Sequence, residues 1–217
     1  MTTAFPGVTT RFILVRHGET EWNVEARVQG QRDSVLTAEG IAQAEAIARR
    51  IAEEPFDALV SSDLGRALDT ARRISARSGR AIVSDPRLRE RHFGIGEGMT
   101  YDEIGRAWPD AFARTREADA DFAIPGGESR RAFHERVVAT FEALAHEHAG
   151  LRLVVVTHGG VLAMIHRHIH GIAIAAPHKV PITNACYNVI ACEAGCWRIE
   201  AWGDDAHLAV ADPFEED

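Results

Sequence analysis

The segment that decides the fold runs from Arg11 to Thr20 and reads RFILVRHGET. Its first half, Arg11 to Val15, is a compact apolar run, and such a run bounded by turn residues predicts a buried strand. Arg16, His17 and Gly18 follow at once, so polar and reactive side chains begin where the strand ends. Outward from this segment the chain alternates between strand-like and helix-like patterns.

This alternation predicts the architecture. Thr37 is a good N-cap for a helix with apolar residues at helical spacing, and Pro55 marks the end of that helix. Further strands are expected at about 56–60, 81–83 and 151–156, and further helices at about 64–76, 129–148 and 161–170. We expect an α/β three-layer sandwich with a mostly parallel central sheet and helices on both faces.

Two other regions depart from that alternation. Two β-rich runs, 186–192 and 197–202, predict an antiparallel hairpin at the edge of the sheet. Residues 94–127 are irregular and rich in Gly and Pro, which predicts a small lid insertion with one short helix at about 101–108. A length of 217 residues favours a single domain spanning 1–217.

Composition excludes several classes of protein. A hydrophobic fraction of 46% is typical of a folded globular chain, and no apolar run approaches the length of a membrane span. The net charge of -8 opposes binding of nucleic acid. Three cysteines are too few for a disulfide framework, and the first ten residues have no signal-peptide pattern, so we expect a cytoplasmic protein. The edge of the terminal β-rich runs makes a homodimer possible.

Four stretches of polar residues follow strand ends, and they can converge because the carboxyl ends of parallel strands lie at one edge of a sheet. They are residues 16–20, the start of 61–66, Glu90 and residues 157–160. Two of the four contain a His-Gly pair. The pattern predicts a ligand site at that edge.

These residue types suit phosphoryl transfer, which needs charge stabilisation, an in-line nucleophile and a proton for the leaving oxygen. Arg16 and Arg66 offer planar forks of donors that match phosphate. His17 could attack phosphorus if one ring nitrogen donates to a fixed acceptor. His158, if protonated, would be a second cationic donor. Glu90 could protonate the leaving oxygen, because repulsion from a phosphate dianion favours its acid form.

The same residues resemble the histidine phosphatase superfamily, also called the phosphoglycerate-mutase-like family. RHGETEWN at 16–23 is similar to its signature, and Gln29-Gly30, SSDLGRA at 61–67, LRERHFG at 88–94 and THGG at 157–160 follow in order. The resemblance covers roughly residues 11–165. It implies that His17 is phosphorylated, that Arg16, Arg66 and His158 hold the phosphate, and that Glu90 donates the proton.

The resemblance also implies a set of substrate contacts. These are Arg16, His17, Gly18, Glu19, Thr20, Asn23, Gln29, Gly30, Arg66, Glu90, His158 and Gly159. Glu19, Glu21 and Trp22 are interpreted as framing the pocket, without a catalytic role.

The family contains both phosphatases and mutases, and we expect the residues of the lid to determine which of the two activities a member has. Between residues 97 and 127 there are seven acids (Glu97, Asp102, Glu103, Asp110, Glu117, Asp119, Asp121) and three bases (Arg106, Arg114, Arg116). That balance opposes retention of a highly charged intermediate, and the Gly159-Gly160 ending also resembles the phosphatases. We predict a phosphatase acting on a small phosphorylated metabolite without a cofactor. The alternative is a phosphoglycerate mutase dependent on 2,3-bisphosphoglycerate, which Arg114 and Arg116 keep open.

Two rival interpretations remain. His166, His168 and His170 could suggest a metal site, but alternate residues of a helix face different ways and no Cys ligands accompany them, so no metal is expected. A non-catalytic module that binds phosphorylated ligands would need only the arginines. The presence of His17 and Glu90 favours an enzyme.

Overall fold

The structure, a computed structural model, describes residues 7–116 and 119–209, with nothing given for the side chain of Arg116. Glu117, one of the acids counted in the lid, lies outside the described residues. The strands are β1 (Thr9–Arg16), β2 (Ala58–Ser61), β3 (Ile82–Ser84), β4 (Arg152–Thr157), β5 (Tyr187–Glu193) and β6 (Cys196–Asp204). The helices are α1 (Glu21–Val24), α2 (Ala38–Ala52), α3 (Gly65–Ser78), α4 (Tyr101–Ala107), α5 (Pro109–Arg116), α6 (Arg130–Glu147) and α7 (Gly159–Ile169).

The sheet has six strands in the order β3-β2-β4-β1-β5-β6. The first four strands are mutually parallel, whereas β5 pairs antiparallel with β1 and β6 pairs antiparallel with β5. The register sets Arg16 opposite Thr157, and Ser61 opposite Val156. The carboxyl ends of β1, β2 and β4 therefore meet, and the predicted mostly parallel sheet with an antiparallel edge hairpin is confirmed.

Alternation along β1 creates the three layers, because successive side chains of a strand point to opposite faces. Phe12 and Leu14 belong to the apolar cluster that contains the buried face of α6 and α7. Ile13 and Val15 belong to the other cluster, with α2 and α3. All four side chains are fully buried, so both faces of β1 are covered by helices.

The helices mostly bury the faces that periodicity predicts. In α6 the expected apolar stripe is buried, and it consists of Phe133, Val137, Phe141 and Leu144. Helix α2 begins after Thr37, whose Oγ1 accepts a hydrogen bond from the amide of Gly40. Ile41, which shares the helical spacing of the buried residues, is instead 42% exposed. Among the described residues no helix combines the length and apolarity needed to cross a membrane.

The cap of α3 does not come from residues 61–63, which precede the helix. The N-cap residue itself makes no side-chain hydrogen bond, and the free amides are satisfied by Asp33. Its carboxylate accepts from the amide of Gly65 at 2.7 Å and from that of Arg66 at 3.4 Å. A side chain more than 30 residues away in sequence thus caps the helix, a role that usually belongs to a neighbouring residue.

Residues 94–127 contain two helices, α4 and α5, where one was predicted. Pro109, which indicated a break, is the first residue of α5, a position where proline is tolerated because its missing N–H has no intrahelical partner. The two ends of the segment meet closely. A Cβ added to Gly94 would lie 2.1 Å from the carbonyl oxygen of Pro125.

Candidate active site

The nucleophile predicted from the sequence lies directly beyond β1. His17 is 3% exposed, and its Nδ1 lies 2.8 Å from the carbonyl oxygen of Gly18. Because a carbonyl can only accept, Nδ1 carries the proton and Nε2 keeps its lone pair. Burial, followed by the positive charges of Arg66 and Arg16, lowers the pKa of His17 well below its ordinary value. The imidazole is therefore neutral, as a nucleophile must be.

Two glycines allow the loop after β1 to sit against the start of α2. A Cβ on Gly18 would lie 2.3 Å from the carbonyl oxygen of Gly40, and a Cβ on Gly40 would lie 1.9 Å from that of Glu19. The amide of Gly18 also donates to Oγ1 of Thr70 at 3.1 Å. Backbone contact on both sides thus fixes the carbonyl that orients His17.

The two predicted arginines reach the same cleft from different elements. Arg66, whose side chain is 1% exposed, donates from Nη1 to Asp33 and from Nη2 to the carbonyl oxygen of Gly30, each at 2.7 Å. Arg16 donates from Nη1 to the carbonyl oxygen of Ile182 at 2.7 Å. Burial lowers the pKa of both guanidinium groups, which an arginine tolerates without losing its charge.

His158 lies beyond β4, and its ring centroid is 5.3 Å from that of His17. Its Nε2 is 2.8 Å from Oγ of Ser62, and this hydroxyl oxygen accepts from the amide of Leu64. Among the described contacts Nε2 is the one acceptor for the Ser62 hydroxyl proton, so we assign that proton to the bond with Nε2 and the His158 proton to Nδ1. Burial and the neighbouring Arg66 lower the pKa of His158 well below its ordinary value. In this structure His158 is a neutral donor and not the second cation that a protonated ring would provide.

Three buried donors of these residues have no hydrogen-bond partner. They are Nε of Arg16, Nε of Arg66 and Nδ1 of His158. A buried polar group without a partner costs free energy, and native proteins rarely keep one without a reason. Three such donors around one nucleophile are the arrangement that a bound tetrahedral anion would satisfy.

The predicted acid, Glu90, lies on the wall of the same cleft. Its Oε1 accepts from the amide of Arg91 at 2.7 Å, and its Oε2 accepts from the amide of Gly160 at 2.8 Å. A Cβ on Gly160 would lie 2.0 Å from Oε1, so only glycine leaves room for the carboxyl group. Two backbone segments hold the carboxyl in place.

Asn23, Gln29, Gly30 and Gly159 also line the cleft, as the resemblance implies. Gln29 donates from Nε2 to Oγ1 of Thr20 at 2.8 Å, and its buried Oε1 has no partner. The hydrogen bond fixes the orientation of the Gln29 side chain, and its Oε1 remains free to accept a hydrogen bond from a ligand.

Other predicted contact residues support the cleft from outside its lining. Gly18 supplies the carbonyl described above, and Thr20 is fully buried as the N-cap of α1. Oε1 of Glu19 accepts from Oγ1 of Thr37 at 2.8 Å, which joins the loop to the cap of α2. These three residues are not part of the cleft lining, and neither is His158, whose ring lies next to that of His17.

Several residues at the cleft were not among the predicted contacts. Phe93, Tyr101 and Ile182 contribute to the cleft. Asn184 donates from Nδ2 to the carbonyl oxygen of His17 at 3.0 Å. Ile182 and Asn184 belong to the irregular segment between α7 and β5, where no periodicity or motif marks a function. Ser62 stands within the SSDLGRA match, but its role depends on a contact with His158.

Of the two lid arginines that kept a mutase open, Arg114 does not reach the cleft, and the side chain of Arg116 lies outside what the structure describes. Arg114 donates to Asp119 at 2.6 Å, and its guanidinium lies 4.3 Å from the ring centroid of Phe122. Of residues 94–127, as far as the structure describes them, Tyr101 alone lines the cleft. Within the described part of the chain, no three His, Cys, Asp or Glu side chains are grouped so that they could hold a metal ion.

Fold and site together define an α/β protein with a cleft in which two arginines lie next to a neutral histidine. The sequence profile described as "Histidine phosphatase superfamily (branch 1)" matches residues 12–205. This chain belongs to the histidine phosphatase superfamily, and the resemblance seen in its motifs is confirmed.

Individual relatives agree with this membership. The chain is 39% identical over 203 residues to "Metal-independent phosphoserine phosphatase" of Arabidopsis thaliana, covering 92% of this chain and 84% of that protein. It is 38% identical over 201 residues to "Phosphoglycerate mutase-like protein 4" of the same plant, covering 90% and 86%. Among solved structures, Bacillus stearothermophilus YhfR superposes with a TM-score of 0.85 at 32% identity, covering 92% of this chain and all of that one.

Proposed function

We propose that this protein is a phosphomonoesterase that forms a transient phosphohistidine on Nε2 of His17. The observation that carries the proposal is the set of three unpartnered donors on Arg16, Arg66 and His158, next to the free lone pair of His17. A phosphoryl group bound to these donors would have its phosphorus beside the nucleophile and its negative charge compensated.

The first step forms the Nε2–phosphorus bond and breaks the ester phosphorus–oxygen bond. The leaving oxygen takes a proton from the carboxyl group of Glu90 and departs as an alcohol. The ring of His17 then carries a positive charge, which the hydrogen bond from Nδ1 to the carbonyl oxygen of Gly18 stabilises.

The second step uses water. The Glu90 carboxylate accepts a proton as water attacks phosphorus, the Nε2–phosphorus bond breaks, and inorganic phosphate leaves. His17 returns to its neutral form and Glu90 to its acid form, so the cycle balances. The backbone amides of Arg91 and Gly160 hold the carboxyl group through both steps.

Release of p-nitrophenol from p-nitrophenyl phosphate tests the proposal, with His17→Ala as the control across pH 5 to 8. Quenching with alkali and detergent after reaction with 32P-labelled substrate should trap label that is stable to alkali and labile to acid, as expected of phosphohistidine. Equal release by the two proteins would reject the enzyme in favour of a module that only binds phosphorylated ligands.

Phosphoglycerate mutase activity is the second candidate, because several relatives carry mutase names. It would require 2,3-bisphosphoglycerate as a cofactor and cations for a second charged group. Isomerisation of 3-phosphoglycerate that depends on this cofactor, and that is faster than hydrolysis of every ester tested, would favour the mutase. We expect hydrolysis to be faster.

We further propose that the protein acts in the cytoplasm, on a small phosphorylated metabolite, with neither metal nor organic cofactor. A relative is named as metal-independent, and Cys186, Cys192 and Cys196 are free thiols, which suits a reducing compartment. Dialysis against EDTA should leave the activity unchanged. Sedimentation would test whether the chain forms a homodimer, and one cooperative unfolding transition is expected of a single domain with a lid at 94–127.

A further inference from the structure

The cleft extends well beyond the three unpartnered donors. Its volume is about 520 Å³, several times the space that a phosphoryl group fills. The lining residues other than the predicted substrate contacts and Gly160, the neighbour of Glu90, are here called the outer wall and have a shared character, because most of them are apolar or aromatic. The outer wall consists of Trp22, Ala26, Arg27, Val28, Phe93, Tyr101 and Ile182.

We propose that the outer wall selects phosphomonoesters whose leaving alcohol is uncharged and apolar or aromatic, and that it disfavours esters whose alcohol bears a carboxylate. This inference rests on the proposed phosphatase activity and names its substrate class.

The first argument concerns charge. Apart from the phosphate-binding arginines, Arg27 is the only cation among the described residues that line the cleft. Its Nε donates to Glu25 at 2.7 Å, and its Nη1 donates to Glu103 at 2.8 Å and to the carbonyl oxygen of Gly98 at 2.9 Å. A substrate carboxylate would have to compete with two carboxylates already in place, or enter the cleft unpaired.

The second argument concerns the aromatic rings and the cations behind them. The guanidinium of Arg32 lies 5.5 Å from the ring centroid of Trp22, and that of Arg91 lies 5.1 Å from the ring centroid of Phe93. Both cations also donate to backbone carbonyl oxygens, at 3.1 and 2.9 Å. Arg91 is buried and Arg32 is exposed, and both lie beside the rings, so a substrate meets aromatic surface there.

Four alkyl phosphates test the inference: 2-phenylethyl phosphate, ethyl phosphate, O-phosphoserine and 3-phosphoglycerate. All four release an alkyl alcohol, which limits the differences in intrinsic reactivity that an aryl ester would introduce. We expect kcat/KM for 2-phenylethyl phosphate to exceed that for ethyl phosphate by about tenfold or more, since pocket contacts discriminate on that scale. The two esters that bear carboxylates should fall below ethyl phosphate.

A variant of the outer wall links the preference to its residues. In Trp22→Ala the ratio of kcat/KM for 2-phenylethyl phosphate to that for ethyl phosphate should fall at least threefold. Val35→Ala is the matched control, because Val35 is 63% exposed and does not line the cleft. Its ratio should equal that of the unmodified protein.

The outcomes separate the inference from the proposed function. If 3-phosphoglycerate or phosphoserine is hydrolysed as well as 2-phenylethyl phosphate, the inference is overturned and the phosphatase stands. An unchanged ratio in Trp22→Ala would likewise overturn it. If the unmodified protein hydrolyses no ester faster than His17→Ala does, both the proposed function and this inference are rejected.

Discussion

Histidine rings are in contact at three places among the described residues: an inner pair at the cleft, an outer group away from it, and His134 with His168 at 5.9 Å. The inner pair is His17 and His158, with ring centroids 5.3 Å apart. The outer group joins His166 to His170 at 4.4 Å and to His178 at 4.9 Å. In both groups a buried ring nitrogen has no hydrogen-bond partner, and burial is the main cause that lowers the pKa of His17, His158, His166 and His178.

The surroundings distinguish the two groups. Arg16 and Arg66 flank the inner pair, and their charges lower the pKa of both rings further. For His166 the causes after burial are its two histidine neighbours, which bring its pKa to about 4. A neutral buried imidazole is therefore not enough to define a site. Fixed positive charge with unused donors makes the inner pair a place for a phosphoryl group.

Replacing one histidine from each group gives the largest contrast. His17→Ala should lower kcat for p-nitrophenyl phosphate on the order of 10⁴-fold, because the covalent route is lost. His166→Ala should lower it less than threefold. Steady-state kinetics of both variants, with circular dichroism as a check on folding, would measure this. Similar losses in the two variants would contradict the contrast.

Arg66→Lys probes the cations of the inner pair while conserving the charge. Lysine lacks the planar fork, so kcat/KM should fall on the order of 10²-fold to 10³-fold. Arg72→Lys is the matched control, since Arg72 lies on the same helix with a side chain that is 62% exposed. A loss of less than threefold at Arg66 would show that charge alone suffices.

Ser62→Ala removes the hydroxyl group that contacts Nε2 of His158 and to which we assign the role of keeping the His158 proton on Nδ1. We expect kcat/KM to fall about tenfold, as for other supporting residues, together with a shifted pH profile. Ser61→Ala is the control, because Ser61 is equally buried and donates only to the carbonyl oxygen of Ser62. Equal effects at 61 and 62 would indicate a packing role.

The outer group should affect stability without affecting catalysis. The folded-state pKa of His166 lies below its unfolded value, so the unfolded chain binds the proton first as the pH falls from 6.5 towards about 4. The free energy of unfolding should therefore decrease over that window. With allowance for partial exposure, His166 should contribute about 1 kcal/mol to the decrease.

Urea denaturation at pH 7 and at pH 4.5 would measure this contribution. His166→Gln should lose less stability between the two pH values than the unmodified protein. The comparison between proteins is needed because His17 and His158 add to the same trend. An identical decrease in the free energy of unfolding in both proteins would exclude a contribution from His166.

The sequence predicted what depends on local pattern. The apolar run before Arg16, the stripe of α6 and the cap at Thr37 each have their signal within one turn or strand, and the structure confirms all three. Convergence of the strand ends followed from topology, because parallel strands align their carboxyl ends. That rule alone brought His17 and His158 to one edge.

Contacts between distant residues could not be predicted in this way. Asp33 caps α3, and Ile182 and Asn184 position Arg16 and His17 across more than 160 residues of sequence. No spacing rule marks such partners, because they depend on how separate loops meet. The effect of Pro109 could not be predicted for a different reason, because proline occurs at the first position of helices as well as after their ends.

The close approach of Gly18 and Gly40 restricts how this catalytic loop can be reused in another protein. A designer who grafts residues 16–20 onto a new strand must also supply a glycine at the start of the neighbouring helix. Without it, a Cβ 1.9 Å from the carbonyl oxygen of Glu19 would push the loop away. The smallest transferable unit is therefore a strand, its loop and the first turn of α2 together.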